Sequence, residues 1–164
     1  MLSKSMQDAL NAQINAEQYS AQLYLSMGAH CELRSFRGFA HWLRVQAAEE
    51  NAHALKLLDY LLDRGAHPAI LPLAAPPSEF GGMIQVFEQA LKHEEGNTAR
   101  IHSLFQQARE ERDHATELAL QWYVTEQVEE ESTIRQVLDH LRAVGDKGGG
   151  IWYLDSRMGK RGKE

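Results

Sequence analysis

Four long stretches of this sequence repeat apolar residues every three or four positions, and each carries one glutamate where the apolar stripe should continue. That spacing is the period of a helix with one buried face. The first stripe reads Met6, Leu10, Ile14, Glu17, Ala21 and Tyr24, and the second Leu43, Ala47, Glu50, Ala54, Leu57 and Leu61. The third is Ile84, Phe87, Leu91, Glu94, Thr98, Ile101 and Phe105, and the fourth Leu120, Tyr123, Gln127, Glu130, Ile134, Val137 and Leu141. A chain with four such stripes buries them against one another, and the glutamates go in with them. An ionised carboxylate in a dry core is strongly unfavourable unless it is paired. Glu50 is followed three residues later by His53, so the partner that best fits the pattern is a metal ion.

The stripes and their punctuation predict an all-α fold. The first helix runs from Ser5 to about Leu33, and the second begins after the Ser35 to Gly38 turn, with Ser35 as its cap, and stops at Gly65. The third runs from about Met83 to Arg109, and the fourth is capped by Asp113 and ends before Gly145. All four prolines, Pro68, Pro72, Pro76 and Pro77, lie between Ala66 and Gly82, a segment too interrupted for a helix and read as a long ordered crossover. After Gly148 to Gly150 the apolar run Ile151 to Leu154 predicts a short fifth helix over about 148–158, followed by a basic tail, Lys160 to Lys163. Two short-turn helix pairs joined by one long connection give a four-helix bundle with one crossover between helices 2 and 3 and a short fifth C-terminal helix. The expectation is one domain over residues 1–164, with the bundle over about 5–143.

Hydrophobic residues at 43% and charged ones at 24% suit a folded domain rather than a disordered one. The net charge of −6 argues against nucleic acid, whose binding rests on Lys and Arg neutralising phosphates, and favours cations. The single cysteine, Cys31, forms no intrachain disulfide and is expected as a buried or interfacial thiol, with a cytoplasmic address. No secretory leader is expected at the start, and no membrane partner, since no apolar run approaches the roughly 20 residues of a spanning helix. His30, His41, His67, His102, His114 and His140 are read as surface or interface residues, and His93 as pointing to a face other than that of Glu94.

Residues three apart on a helix are neighbours, so Glu50 and His53 can share one ion while Glu50 bridges to a second. If the stripes meet at one level, the hard oxygens and borderline nitrogen suit iron or manganese. The first ion is expected on Glu17, Glu50 and His53, and the second on Glu50, Glu94 and Glu130, with Gln127 beside it as a hydrogen-bond donor or weak ligand. Bundles that hold two metals commonly supply a Glu-x-x-His pair from each of two helices. Here the fourth helix offers Gln127 and Glu130 instead, so the two positions are expected to be unequal, with room for dioxygen on the second. Glu49, Glu126 and Glu129 are read as ligands of a third ion. Tyr24, seven residues after Glu17 on the same face, is placed to donate a hydrogen bond to a ligand or an electron to the reaction. The residues alone leave open a bundle enzyme that oxidises an organic substrate or scavenges peroxide, and a non-catalytic helical interaction protein with an acidic face.

Glu17 with Tyr24, the Glu49, Glu50 and His53 cluster, the His93 and Glu94 pair, the Gln-Trp-Tyr run at 121–123, and Glu126-Gln127-Val128-Glu129-Glu130 resemble, in order and separation, the bacterial non-haem ferritins. The resemblance covers nearly the whole chain. It implies a ferroxidase that oxidises Fe(II) with dioxygen or hydrogen peroxide at a diiron centre within one subunit. It also implies storage of Fe(III) oxyhydroxide mineral inside a homo-oligomeric 24-subunit shell. Bacterioferritins are similar too, but they carry a second Glu-x-x-His pair and a haem-ligating methionine on the second helix. Asn51 and Ala52 follow Glu50 here, so no haem is expected. The small DNA-protecting relatives place their ligands between subunits and lack the fifth helix. The segment Met158 to Glu164, basic and glycine-containing, departs from the ferritin pattern and leaves the shape of a four-fold pore open.

Overall fold

Five helices and no strand make up the computed structural model, which describes residues 2–145 and 147–162. Lys163 and Glu164, the last residues of the expected basic tail, lie outside the described residues, as do Met1 and Asp146. In chain order the helices are α1 Lys4–Leu33, α2 Arg37–Asp63, α3 Met83–Glu110, α4 His114–Val144 and α5 Gly149–Met158. The fold is the expected bundle with a short fifth helix. No helix among the described residues is long and apolar enough to cross a membrane.

Local chemistry sets most of the helix ends. The Ser3 hydroxyl accepts from the Met6 N–H at 3.0 Å to start α1, and the Asp113 carboxylate accepts from the Thr116 N–H at 3.3 Å to start α4. α2 departs from expectation. Ser35 sits in the left-handed region at φ 65° instead of capping, and Phe36, which takes the cap position, offers no side-chain hydrogen bond. The free N–H of Phe39 is satisfied from far away in sequence, donating to Asp155 Oδ1 of α5 at 2.9 Å. Gly38 therefore lies within the first turn of α2 rather than in a loop. A Cβ there would stand 1.6 Å from the Asp155 carbonyl oxygen, so only glycine lets α5 lie across the start of α2.

The apolar side chains form two clusters. One joins Tyr24, Met27, Phe39, Leu43, Phe87, Ile134 and Leu138, with Ile151 and Leu154 of α5. The other joins Met6, Leu10, Ile14, Leu57, Leu61, Ile101, Leu104 and Leu120. The first cluster takes the end of α1, the starts of α2 and α3 and the end of α4, so α2 runs parallel to α3 and the crossover must travel the length of the bundle. Contacts with α1 mark its path: Ala69 N–H donates to Asn11 Oδ1 at 2.7 Å, Asn15 Nδ2 donates to the Pro72 carbonyl at 3.1 Å, and His30 Nε2 donates to the Gly81 carbonyl at 2.8 Å. His30 is thus a strut buried within the subunit rather than the surface or interface residue expected from sequence. Each fully buried Leu, Ile, Met or Phe in the clusters stabilises the fold by roughly 1.5–3 kcal/mol, which offsets the cost of the polar layer trapped between them.

Candidate metal centre

Between the two apolar clusters each long helix contributes polar side chains to the bundle axis. Glu17 comes from α1, Glu50 and His53 from α2, Glu94 and Asn97 from α3, and Gln127 and Glu130 from α4, and all are buried. Sequence and packing agree on why. These positions continue the apolar stripes, so the packing that buries Ile14, Ala47, Ala90 and Tyr123 buries them too.

Most of the carboxylate oxygens are held by amides. Gln13 Nε2 donates to Glu17 Oε1 at 2.7 Å and Asn97 Nδ2 to Glu17 Oε2 at 3.2 Å. Gln46 Nε2 donates to Glu50 Oε1 at 3.1 Å and to Glu130 Oε2 at 2.6 Å. The Tyr24 hydroxyl donates to Glu94 Oε1 at 2.5 Å, and Gln127 Nε2 donates to Glu94 Oε2 at 3.2 Å. Glu50 Oε2 is the exception: it is buried and has no hydrogen-bond donor, the single such side-chain atom among the described residues. It lies 3.8 Å from His53 Nδ1. A buried oxygen with no donor calls for a proton or a cation.

The electrostatics lead to the same demand. Burial pushes the Glu50 carboxyl well above its ordinary range, and Glu94, Glu17 and Glu130 push it further. Burial also raises Glu17, against the Gln13 and Asn97 hydrogen bonds that pull it down. Burial raises Glu94 to about 7, opposed by the Tyr24 and Gln127 hydrogen bonds, and raises Glu130 to about 8, reinforced by Glu94. His53 moves the other way, to about 4, through burial and then the nearby Lys56 charge. Its imidazole is therefore neutral at pH 7, with a lone pair free to bind a cation. The Tyr123 hydroxyl donates to the His53 carbonyl at 2.8 Å, and the His53 ring stands edge-on to Trp122 at 5.2 Å between centroids.

Two groups have donor atoms close enough to surround one ion. Glu17, Glu50 and His53 offer atoms all within 4.8 Å of one another, as do His53, Glu126 and Glu130. The first is the trio expected for the first ion. The second differs from the expected Glu50, Glu94 and Glu130. Among the described residues Glu94 joins no such trio; its oxygens accept from Tyr24 and Gln127, and the partly exposed Glu126 reaches His53 Nε2 at 3.9 Å instead. Of the residues read as a third-ion group, Glu49 pairs with Arg161. Glu129 and Glu49 lie near enough to Glu126 to raise its carboxyl, after burial. His93 turns away from the centre, its Nε2 2.7 Å from Ser20 Oγ and its ring edge-on to Tyr24.

The sequence reading included the Gln127 amide but missed those of Gln13, Gln46 and Asn97. Gln13 and Gln46 stand four residues before Glu17 and Glu50, and Asn97 three after Glu94, so each sits one turn from a carboxylate on the same stripe, a signal available in the spacing. Arg161 gave no such signal, since only tertiary packing brings it near.

A ferritin-like domain family matches residues 7–144 of the chain. The bacterial non-heme ferritin of Staphylococcus aureus (strain USA300) is 37% identical over 161 residues, which cover 98% of this chain and 97% of that protein. The bacterial non-heme ferritin of Bacteroides fragilis (strain 638R) is 38% identical over 161 residues, 98% of this chain and 100% of that protein. Among solved structures, the open pore ferritin of the hyperthermophilic archaeon Archaeoglobus fulgidus superposes with a TM-score of 0.97 at 42% identity, covering 98% of this chain and 99% of that one. An engineered closed form of the same ferritin gives the same TM-score and identity. With its bundle, its crossover and its buried carboxylate layer, the chain belongs to the ferritin family.

Proposed function

We propose that this protein is an iron-storage ferritin and a ferroxidase, holding two ferrous ions within one subunit and passing ferric product to a mineral inside a 24-subunit shell. The observation that carries the reading is Glu50 Oε2, buried without a donor beside a neutral His53 and the Glu17 carboxyl. An ion there is held by Glu17, Glu50 and His53. A second is held by Glu130 with Glu126 or, after Glu94 gives up the Gln127 or Tyr24 hydrogen bond, with Glu94. Two ferrous ions together give two electrons, which dioxygen takes up with two protons to leave as hydrogen peroxide, and peroxide accepts two electrons from a further pair of ferrous ions, with two more protons, to leave as two waters. The chain's part is to hold the ions adjacent and to release the carboxyl protons as they bind. The lack of a second imidazole makes the two positions unequal, so the less fully ligated ion is the one with room for oxidant.

Anaerobic titration with ferrous ion, followed by air, tests the enzyme. Saturable binding and oxidation faster than in protein-free buffer are expected, and binding no different from buffer would defeat the reading. Size-exclusion chromatography of the iron-loaded protein tests the container. Elution at about half a megadalton is expected of a closed shell, and a particle of one or two subunits would favour an enzyme that does not store iron.

A further inference from the structure

Arg161, in the turn that follows α5, reaches back to the metal centre. Its guanidinium donates through Nη1 to Gln46 Oε1 at 2.9 Å and through Nη2 to the Glu49 carboxylate, and it lies over the Trp42 ring at 4.3 Å. His41 Nε2 fixes the backbone beneath it by donating to the Arg161 carbonyl at 2.8 Å. A guanidinium stays charged at any pH the fold survives, and its planar fork can hold an amide oxygen and a carboxylate together. The other end of Gln46 donates to Glu50 and Glu130. Arg161 therefore fixes which end of that amide faces the centre, the oxygen outward and the donors inward.

Glu49 belongs to the acidic group read as ligands of a third ion, with Glu129 and with Glu126, whose carboxylate lies 3.9 Å from His53 Nε2. We propose that Arg161 is a positioning residue that stands in for a cation at this group, so that a third metal ion binds only by displacing the guanidinium from Glu49. The proposal rests on the two-ion reading above. An arriving cation meets a fixed positive charge and one carboxylate already engaged. Displacement also frees Gln46 to rotate, which couples the third position to Glu50 and Glu130.

Equilibrium titration of the metal-free assembled protein with Co(II) under nitrogen, followed by calorimetry and visible absorption, decides it. Wild type takes up a pair of ions tightly, and the third binds at least about tenfold more tightly in Arg161→Gln than in wild type, the scale expected when one unit charge within a few ångströms is removed. Arg161→Lys keeps the charge and tracks wild type. The double variant Arg161→Gln with Glu49→Gln loses the gained ion. Equal stoichiometry and affinities in wild type and Arg161→Gln would overturn the proposal, as would a Lys variant that gains what the Gln variant gains, or a double variant that keeps it. Wild type with no saturable uptake would overturn the two-ion reading instead. Elution volume and circular dichroism of each variant establish that the fold is intact.

Discussion

Glu50 sits where the costs of burial are greatest and its partners fewest. One oxygen accepts from Gln46, the other from no donor, and three further carboxyls surround it. Glu50→Ala removes a carboxylate of the proposed two-ion site and is expected to slow initial ferrous oxidation by about a hundredfold while the elution volume of the assembly stays unchanged; stopped-flow absorbance reads the rate. The neighbouring carboxyls give a second prediction. Glu94 titrates near 7 and Glu130 near 8 in the folded metal-free protein, against an ordinary 4.5. The folded state thus holds more protons than the unfolded one in that window, and metal-free stability falls as pH rises from about 4.5 to 8, by up to about 1.4 kcal/mol per pH unit per carboxyl. The same protons leave when ions bind. At pH 7 Co(II) binding should release at least about one proton per subunit, shrinking above pH 8, as measured by calorimetry in buffers of different ionisation heat. The burial of Glu17, Glu50, Glu94 and Glu130 was legible in the sequence because a charge in an apolar stripe is conspicuous, and that of His53 because it stands three residues after Glu50. Glu126 as a neighbour of His53, and Glu94 withdrawn onto Tyr24 and Gln127, were not, since side-chain direction depends on contacts between helices that spacing does not encode.

At the scale of elements, the four long helices follow from periodicity to within a residue or two, because long stripes leave little freedom. The start of α2 does not. Its N-terminal donor is satisfied by Asp155, 116 residues away in sequence, and the requirement for Gly38 comes from the backbone of α5 rather than from a local turn. Two substitutions separate these effects. Gly38→Ala drives a methyl into the Asp155 carbonyl and should cost about 1–3 kcal/mol, with faster hydrogen exchange confined to α5 and the first turn of α2. Asp155→Ala leaves the packing but removes the cap on Phe39, a loss of about 1 kcal/mol in thermal or denaturant unfolding. The crossover was legible as a prolyl segment, but its course along α1 was not, being set by Asn11, Asn15 and His30, polar residues of α1 that bond its backbone.

For the whole molecule, the face built from α1, α2 and the crossover leaves Leu25, Ile70 and Leu71 exposed at 51%, 71% and 41%. They border a groove of about 490 Å³ that Ala21, Ala47 and Leu73 also line. A shell would cover this surface with another copy of the chain, and Leu25→Arg is expected to shift elution from about half a megadalton towards single subunits, because a buried unpaired charge at an interface core costs several times the thermal energy. On the proposed reading, acidic side chains of the bundle hold two ions beside His53. Anomalous scattering at the iron edge, from crystals soaked in ferrous salt without air, locates them. Two peaks about 3.5–4 Å apart on the bundle axis are predicted, one among Glu17, Glu50 and His53 and one against Glu130, while iron confined to the outer surface, with none between the two apolar clusters, would contradict that reading.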